Sequence, residues 1–555
     1  MKNFKQKLRY LTKLKPFNHQ YTHFLKHRDA KFWAFLWDMG TGKTKIIFDV
    51  TVHLFLNKKI DCLVLVAPNG VHKKHLTKAA PEHIHTSITY ETFIYESKKI
   101  KIKKNKHLLN SFLLKNENLK IISINPDALI TKQGFDVILQ VLVKFNCYMV
   151  VDEFTDFKTP TSKRAKQLLK LSNYPLYKAI LDGTPIQKSP MDIWVGFNFL
   201  QHGCLGHTFY MSFKNEYCKL DNFKLRNDIY KILKQSNFYK KGNLSIKESC
   251  VISDITDSIF EHMKGERLSN NNLSNLLPCD LWDCKTRLLS LARKAYFTET
   301  SYKNLDKLNN IIYKFSSRYL KNECLDLPKS TTIDIPYYLD DKTNQLYQKL
   351  KKDLIAEYNT VTMSTPYKLT LLLRFQQLLG GFFKPDFEQD QIEISTQRVD
   401  LLLNQLSKIA SDHKVLIFCK FTSEIKQIIK KLKLEYGTES TVDYYGETKA
   451  KDRESNLTEF IQNPNCKYFV ANRKSGGVGL DGLQVASYVI NYSNEASSRY
   501  QLQAVDRAIR SGQKNKVTIL NIYALETYDE RLRDILMGNK ILADEITGDK
   551  FLDLV

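Results

Sequence analysis

Apolar and polar positions along the chain fall into short apolar runs separated by amphipathic stretches. An apolar run, Phe32 to Trp37, is followed by a glycine-containing loop and then by a helix-like run from Lys45 to Leu56. Further β-rich runs occur at Leu63–Ala67, Lys120–Ile124, Tyr148–Val151 and Ala179–Leu181, with helical periodicity between them. A second series begins near Pro336, with runs at Val415–Phe418, Tyr468–Ala471, Tyr488–Tyr492 and Val517–Tyr523. Strands alternating with helices predict parallel sheets covered by helices on both faces. Between the two series, from about Leu205 to Asn304, polar clusters such as Ser269-Asn270-Asn271-Asn272 interrupt helical patterns. A mainly helical insertion is expected there.

The length of 555 residues fits more than one domain, because single cores rarely grow beyond about 300 residues. The expected division is 1–204 for a first α/β lobe, 205–304 for the insertion, 305–335 for a linking segment and 336–555 for a second lobe. Lys and Arg total 84 against 59 Asp and Glu, a net charge of +25. Such an excess favours polyanionic partners, nucleic acid above all; a general enrichment in lysine would also produce it. Lys98 to Lys106 holds six of these lysines, either as a solvated face or as a contact to phosphates. Ten cysteines include no CxxC pair, so free thiols in a reducing compartment are expected rather than a zinc site. The basic start, Met1-Lys2-Asn3-Phe4-Lys5, has no apolar stretch behind it suited to a signal peptide, and no apolar run reaches the ~18–20 residues of a membrane span. A cytoplasmic location is expected, bacterial or in a virus-infected host cell, with the nucleus as the other compartment.

The chemistry begins at Asp38-Met39-Gly40-Thr41-Gly42-Lys43-Thr44. Gly40 and Gly42 let the backbone curl around phosphate oxygens, Lys43 can reach the terminal phosphates, and the Thr44 hydroxyl can hold Mg²⁺. A nucleoside triphosphatase also needs a second acid for Mg²⁺ and a group that orients the attacking water. Val150-Val151-Asp152-Glu153, at the end of an apolar run, offers Asp152 for the first and Glu153 for the second. Asp182-Gly183-Thr184-Pro185 is either a tight turn or a relay to the other lobe. Gln503-Ala504-Val505-Asp506-Arg507-Ala508-Ile509-Arg510 places two arginines at i and i+3. On a helix they would share one face, where they could stabilise charge on a γ-phosphate or simply pair with Asp506 and solvent.

With these motifs in this order, the chain resembles the superfamily 2 helicases and, within them, the Swi/Snf-type DNA translocases of compact viral or bacterial type. Lys15-Pro16-Phe17-Asn18-His19-Gln20 looks like the family's adenine-reading motif, with Phe17 stacking on the base and Gln20 bonding its edge. Asp38–Thr44 matches motif I, Leu63–Gly70 is similar to motif Ia, and Asp152–Thr155 matches motif II, trailed by Lys158, Ser162 and Lys163. Asp182–Gln187 with Trp194 and Phe199-Leu200 looks like motif III. Tyr319–Pro328 resembles the segment leading into the second lobe. Val415–Phe421, Ser475–Leu483 and Gln503–Gln513 resemble motifs IV, V and VI. Thr155 stands where many relatives carry His, and Asp182 where Thr or Ser is common.

The resemblance implies two RecA-like lobes sharing an ATP·Mg²⁺ site. Gly40, Thr41, Gly42, Lys43, Thr44, Gly479 and Gln503 would lie at the nucleotide, and Arg507 and Arg510 would act as arginine fingers. It implies DNA as partner, double-stranded or branched, with Asn69, Lys73, Lys420 and Thr422 as candidate contacts and RNA less favoured. Duplex translocation driven by ATP hydrolysis is the expected activity. A strand-separating or branch-migrating helicase is the alternative, and a non-enzymatic DNA-binding module the weakest.

Overall fold

The computed structural model describes residues 13–100, 102–114, 116–186, 189–219, 222–236, 246–265, 270–295, 301–360, 373–383, 392–473, 480–495, 498–510, 512–534 and 536. The chain divides into two compact units. One comprises residues 1–200 and 315–555, the other Gln201–Lys314.

The first unit is built on two wholly parallel sheets. The seven-stranded sheet runs, edge to edge, Tyr90–Ile94, Leu119–Ile124, Cys62–Val66, Cys147–Asp152, Tyr177–Leu181, Phe32–Phe35 and Ser316–Ser317. The six-stranded sheet runs Thr331–Tyr337, Thr518–Ala524, Tyr488–Asn491, Val415–Cys419, Tyr468–Asn472 and Thr441–Tyr444. Parallel strands need helical crossovers, so helices cover both faces and the inner strands become apolar throughout. Cys62–Val66 is buried at every position, as is Leu119–Ile124. Successive residues of one strand therefore supply two cores. Val415, Ile417 and Cys419 pack on one side of the six-stranded sheet, Leu416 and Phe418 on the other.

Four strands of these two sheets were not expected from the sequence: Tyr90–Ile94, Thr441–Tyr444, Thr331–Tyr337 and Ser316–Ser317. All lie at sheet edges, where one flank is unpaired and most positions are only partly buried. Their sequences lack the apolar run that marks an inner strand. Pro336 within Thr331–Tyr337 is tolerated for the same reason.

The second unit is mainly helical. Its helices include Tyr210–Tyr217, Asn222–Lys234, Ile246–Gly265, Lys285–Ala295 and Leu305–Ile312, and Cys218–Lys219 pairs antiparallel with Ser301–Tyr302. Ile229, Leu233, Ile252, Ile259, Leu273 and Leu288 form its own core. Among the described residues of the chain, no helix is long and apolar enough to cross a membrane.

Register brings the chemistry together. Asp152 and Phe35 both pair with Leu181 across adjacent strands. The loops that begin at Leu36, Glu153 and Asp182 therefore leave the carboxyl edge of the sheet side by side. In open α/β sheets that edge is where ligands bind.

Candidate active site

The loop after Phe35 curls because Gly40 and Gly42 take φ of +82° and +88°, the left-handed region that glycine enters without strain. Gly42 precedes the helix Lys43–Leu56, whose first turn thus presents backbone N–H groups at the loop. A Cβ at Gly42 would displace the Gln20 amide and be strained at this φ, so glycine is favoured there. Gln20 Nε2 donates to the carbonyls of Thr41 (3.1 Å) and Gly42 (3.2 Å), and its Oε1 accepts from the Phe17 N–H at 2.9 Å. The amide that was expected to read a base edge thus also clamps the phosphate loop. His19 Nε2 adds a bond to the Thr41 carbonyl at 2.8 Å. Thr41 itself turns inward, buried, with its hydroxyl donating to Asp38 O at 2.7 Å. It shapes the loop rather than lining the cavity.

Lys43 donates to the carbonyls of Trp37 (2.8 Å) and Asp38 (3.2 Å). Burial lowers the pKa of its ammonium, opposed by Glu153, Asp152, Asp182 and Asp38. Four carboxylates around one half-buried cation make this the electrostatic centre of the site. Asp152 closes the strand Cys147–Asp152. Burial by itself would raise its pKa, but the hydrogen bond from His75, 3.0 Å from Nε2 to Oδ2, together with Lys43, holds it below the usual carboxylate range. Glu153 adopts φ +54°, ψ +53°. A non-glycine residue held in that region costs about 1–3 kcal/mol, a strain that clusters at functional positions.

Behind the acidic pair, Thr155 and Asp182 form a buried couple. Asp182 Oδ2 accepts from the Thr155 hydroxyl (2.7 Å) and backbone N–H (3.3 Å), and its Oδ1 accepts from the Thr184 N–H (2.8 Å). Gly183 lies against the phosphate loop, since a Cβ there would meet Met39 Cγ at 2.9 Å and Lys43 Nζ at 3.4 Å.

The second sheet supplies the opposite wall. The helix Ser498–Val505 ends before the two arginines. Residues Asp506–Arg510 continue as tight turns, with Arg507 N–H donating to Ala504 O and Ala508 N–H to Val505 O. The two arginines thus stand on turns rather than on a helix, yet both reach the adjacent residues Leu480 and Asp481. Arg507 Nη1 donates to Leu480 O at 3.3 Å, and Arg510 Nη1 to Asp481 Oδ1 at 2.5 Å. Burial pulls the Arg507 pKa down. Asp481 also accepts from Lys78 of the first lobe at 2.9 Å. Despite its partial burial, which acts the other way, these cations hold its carboxyl at about 2.

A cavity of about 680 Å³ is lined from both sides by Phe17, Gln20, Gly40, Gly42, Lys43, Thr44, Asp152, Glu153, Gln503, Arg507 and Arg510. Its size is that of a drug-sized ligand site. The hydroxyl of Thr44 and the carboxylate of Asp152 are hard oxygen donors of the kind Mg²⁺ takes. The sequence by itself does not mark His75, Lys78 or Asp481 as site residues. Their chemistry comes from partners distant along the chain. Gly479 and Gln187 lie outside the described residues, as does Lys101 of the lysine-rich run.

The four candidate nucleic-acid contacts do not line this cavity. Asn69 is exposed, and Lys73 pairs with Glu96. Lys420 bonds the Gln376 amide and lies over the Phe421 ring, and Thr422 starts the helix Thr422–Tyr436. Lys98, Lys103, Lys104 and Lys106 are exposed, as is Lys99, which pairs with Glu96.

Residues 36–380 match the model described as SNF2-related domain, and residues 397–512 the model described as helicase conserved C-terminal domain. An "Uncharacterized ATP-dependent helicase" of Mycoplasma pneumoniae is 28% identical over 323 residues, covering 56% of this chain and 30% of that protein. "Protein CHROMATIN REMODELING 24" of Arabidopsis thaliana is 24% identical over 513 residues, 89% of this chain and 42% of that one. The matched stretches span less than half the length of these relatives. Among solved structures, the Sulfolobus solfataricus SWI2/SNF2 ATPase core in complex with dsDNA aligns over 97% of this chain and 94% of that one, at 20% identity and a TM-score of 0.36.

Proposed function

The chain belongs to the SNF2-related family of helicases, and we propose that it is a DNA-stimulated ATP hydrolase that moves along duplex DNA. One observation carries this reading. Lys43, Asp152 and Glu153 from one sheet and Arg507 and Arg510 from the other line a single cavity.

In the proposed reaction the phosphate loop binds the triphosphate through backbone N–H groups and Lys43. When bound, Mg²⁺ would neutralise charge on the terminal phosphates, with Thr44 and Asp152 as its protein ligands. Glu153 accepts a hydrogen bond from the attacking water and orients it in line with the bond to be broken. Arg507 and Arg510 stabilise charge that grows on the γ-phosphoryl oxygens in the transition state. Arg510 leaves Asp481 to do so, which ties the closure of one lobe on the other to the state of the nucleotide. Each cycle of closure and reopening shifts the two lobes against a DNA backbone held across them. The net charge of +25 supports a polyanionic track.

The test is ATP turnover measured with no polymer, single-stranded, double-stranded and forked DNA, and RNA, with Lys43→Ala as control. Stimulation by duplex DNA that Lys43→Ala abolishes is the expected result. Turnover in Lys43→Ala equal to the unmodified protein removes the cavity from the mechanism. Stimulation by RNA alone overturns the choice of track, and unwinding of the forked substrate would make the chain a strand-separating helicase.

A further inference from the structure

The segment that carries the chain from one sheet to the other touches both halves of the site. Ser316–Ser317 closes the seven-stranded sheet and Thr331–Tyr337 opens the six-stranded one, so residues 318–330 form the crossing. Two of them are tied to Asp38, the first residue of the phosphate loop. Arg318 pairs with one carboxylate oxygen at 2.8 Å, and the Lys321 N–H donates to the other at 3.0 Å.

The Lys321 side chain goes the opposite way. Its ammonium donates to Asp506 Oδ1 at 2.5 Å and to Ile509 O at 2.8 Å. Both acceptors lie in the turn that bears Arg507 and Arg510. The side chain is only 11% exposed. A Cβ placed on Gly40 would lie 3.3 Å from Arg510 Cγ and 3.8 Å from Lys321 Cε, so the two side chains sit together directly over the phosphate loop. A surface ion pair between flexible side chains contributes little. Here, however, the cation is mostly shielded, bonds a carboxylate and a carbonyl of one short turn, and has its own backbone fixed to the loop opposite.

We propose that Lys321 is a positioning residue that holds the Asp506–Arg510 turn in register with the phosphate loop, so that the arginines reach the γ-phosphate. This rests on the ATP hydrolase reading. Lys321 does not line the cavity, so ATP affinity is set elsewhere. Its effect falls on the transition state, where the arginines act.

The experiment compares Lys321→Met, Lys321→Arg, Asp506→Asn and the Lys321→Met/Asp506→Asn double variant in the full chain, with Lys43→Ala as control. Turnover with duplex DNA, the KM for ATP, melting temperature and hydrogen exchange without nucleotide are measured. Lys321→Met should lower kcat at least about tenfold, the scale of effect expected when reacting groups are displaced by a fraction of an ångström to an ångström. KM should stay within about threefold, as expected when only transition-state contacts are lost. Peptides covering Gln503–Arg510 should exchange faster while Val415–Cys419 is unchanged. Lys321→Arg should recover most of the rate, and the double variant should be little worse than Lys321→Met, because that substitution already removes the contact to Asp506.

Unchanged turnover and unchanged exchange in Lys321→Met overturn the proposal. So does a loss proportional to a fall in melting temperature that Lys321→Arg fails to rescue. If Lys43→Ala turns over ATP normally, the hydrolase reading fails instead, and the exchange measurement alone decides whether Lys321 holds the turn.

Discussion

Thr155→Val removes one hydroxyl and keeps the side chain's shape, which makes it a clean probe of the couple behind the acidic pair. Thr155 is 2% exposed and Asp182 is fully buried. The lost bond is an O–H donor to a carboxylate at 2.7 Å. Among the described residues, Oδ2 is then left with the Thr155 N–H at 3.3 Å. Hydrogen bonds to charged groups contribute about 1.5–3 kcal/mol, and a buried acceptor left short of donors loses most of that. Local opening around Glu153–Phe157 and Asp182–Ile186 should therefore become about 10–150-fold more frequent, if exchange there follows local unfolding. The assay is hydrogen exchange on peptides covering these two segments, with Thr155→Ser as the variant that restores the donor. Because Glu153 is held at φ +54° by the turn that Thr155 continues, kcat should fall as well, with a smaller change in KM. Exchange within a factor of two of the unmodified protein, in a variant that keeps the fold, would show that the carboxylate finds another donor and that the couple does not brace the acidic pair.

Glu153→Gln should retain ATP binding while hydrolysis slows by at least ~10²-fold, as expected when the group orienting the nucleophile is lost; a parallel collapse of binding, followed with a fluorescent ATP analogue, would make Glu153 a structural residue. Arg507→Ala and Arg510→Ala should each depress turnover far more than ATP affinity, by up to ~10³-fold for a full arginine finger, and single-turnover rates beside melting temperatures separate lost chemistry from lost bracing. His23 is buried among Trp33, Phe35, Trp37 and Tyr319, and burial, with His27, His19 and Lys26 adding repulsion, lowers its pKa to about 3. Its folded value lies below the unfolded one near 6.5, so stability is full above that pH and declines as pH falls from about 6.5 towards 3, at up to ~1.4 kcal/mol per pH unit. His23→Phe should flatten that part of a denaturation-midpoint curve, and a slope unchanged between pH 6 and 4 would show that His23 is not the group responsible.

The inner strands were legible because burial on both faces forces continuous apolar runs. Predicted Leu63–Ala67 and Val415–Phe418 lie within one residue of the observed strands Cys62–Val66 and Val415–Cys419. Edge strands such as Thr441–Tyr444 carry no such signature, because half their surface meets solvent or loops. The phosphate loop was legible for a different reason. Two left-handed backbone positions and a lysine are needed within a few residues, and that demand is local. The arginine pair shows where local reading stops. A spacing of i and i+3 says which residues would share a helical face, yet nothing in it says that the helix ends at Val505.

What remained hidden is the set of contacts between residues far apart in sequence. Lys78 and Asp481 are 403 positions apart, and Lys321 and Asp506 are 185 apart. No periodicity or spacing rule reaches across such distances, because each partner taken singly is an ordinary surface charge. The same holds for Thr155 and Asp182, 27 positions apart. Each looked like an isolated departure from the family pattern, one where His is frequent and one where Thr or Ser is common. In the fold they are the donor and acceptor of one buried hydrogen bond. A threonine hydroxyl needs an acceptor once buried, and a buried carboxylate needs donors. The commoner residues could still exchange a hydrogen bond, but His is longer than Thr and Thr or Ser shorter than Asp, so either exchange alone changes the reach across a buried 2.7 Å bond. The two positions are physically coupled, and a double-mutant cycle on melting temperature should return an interaction energy different from zero.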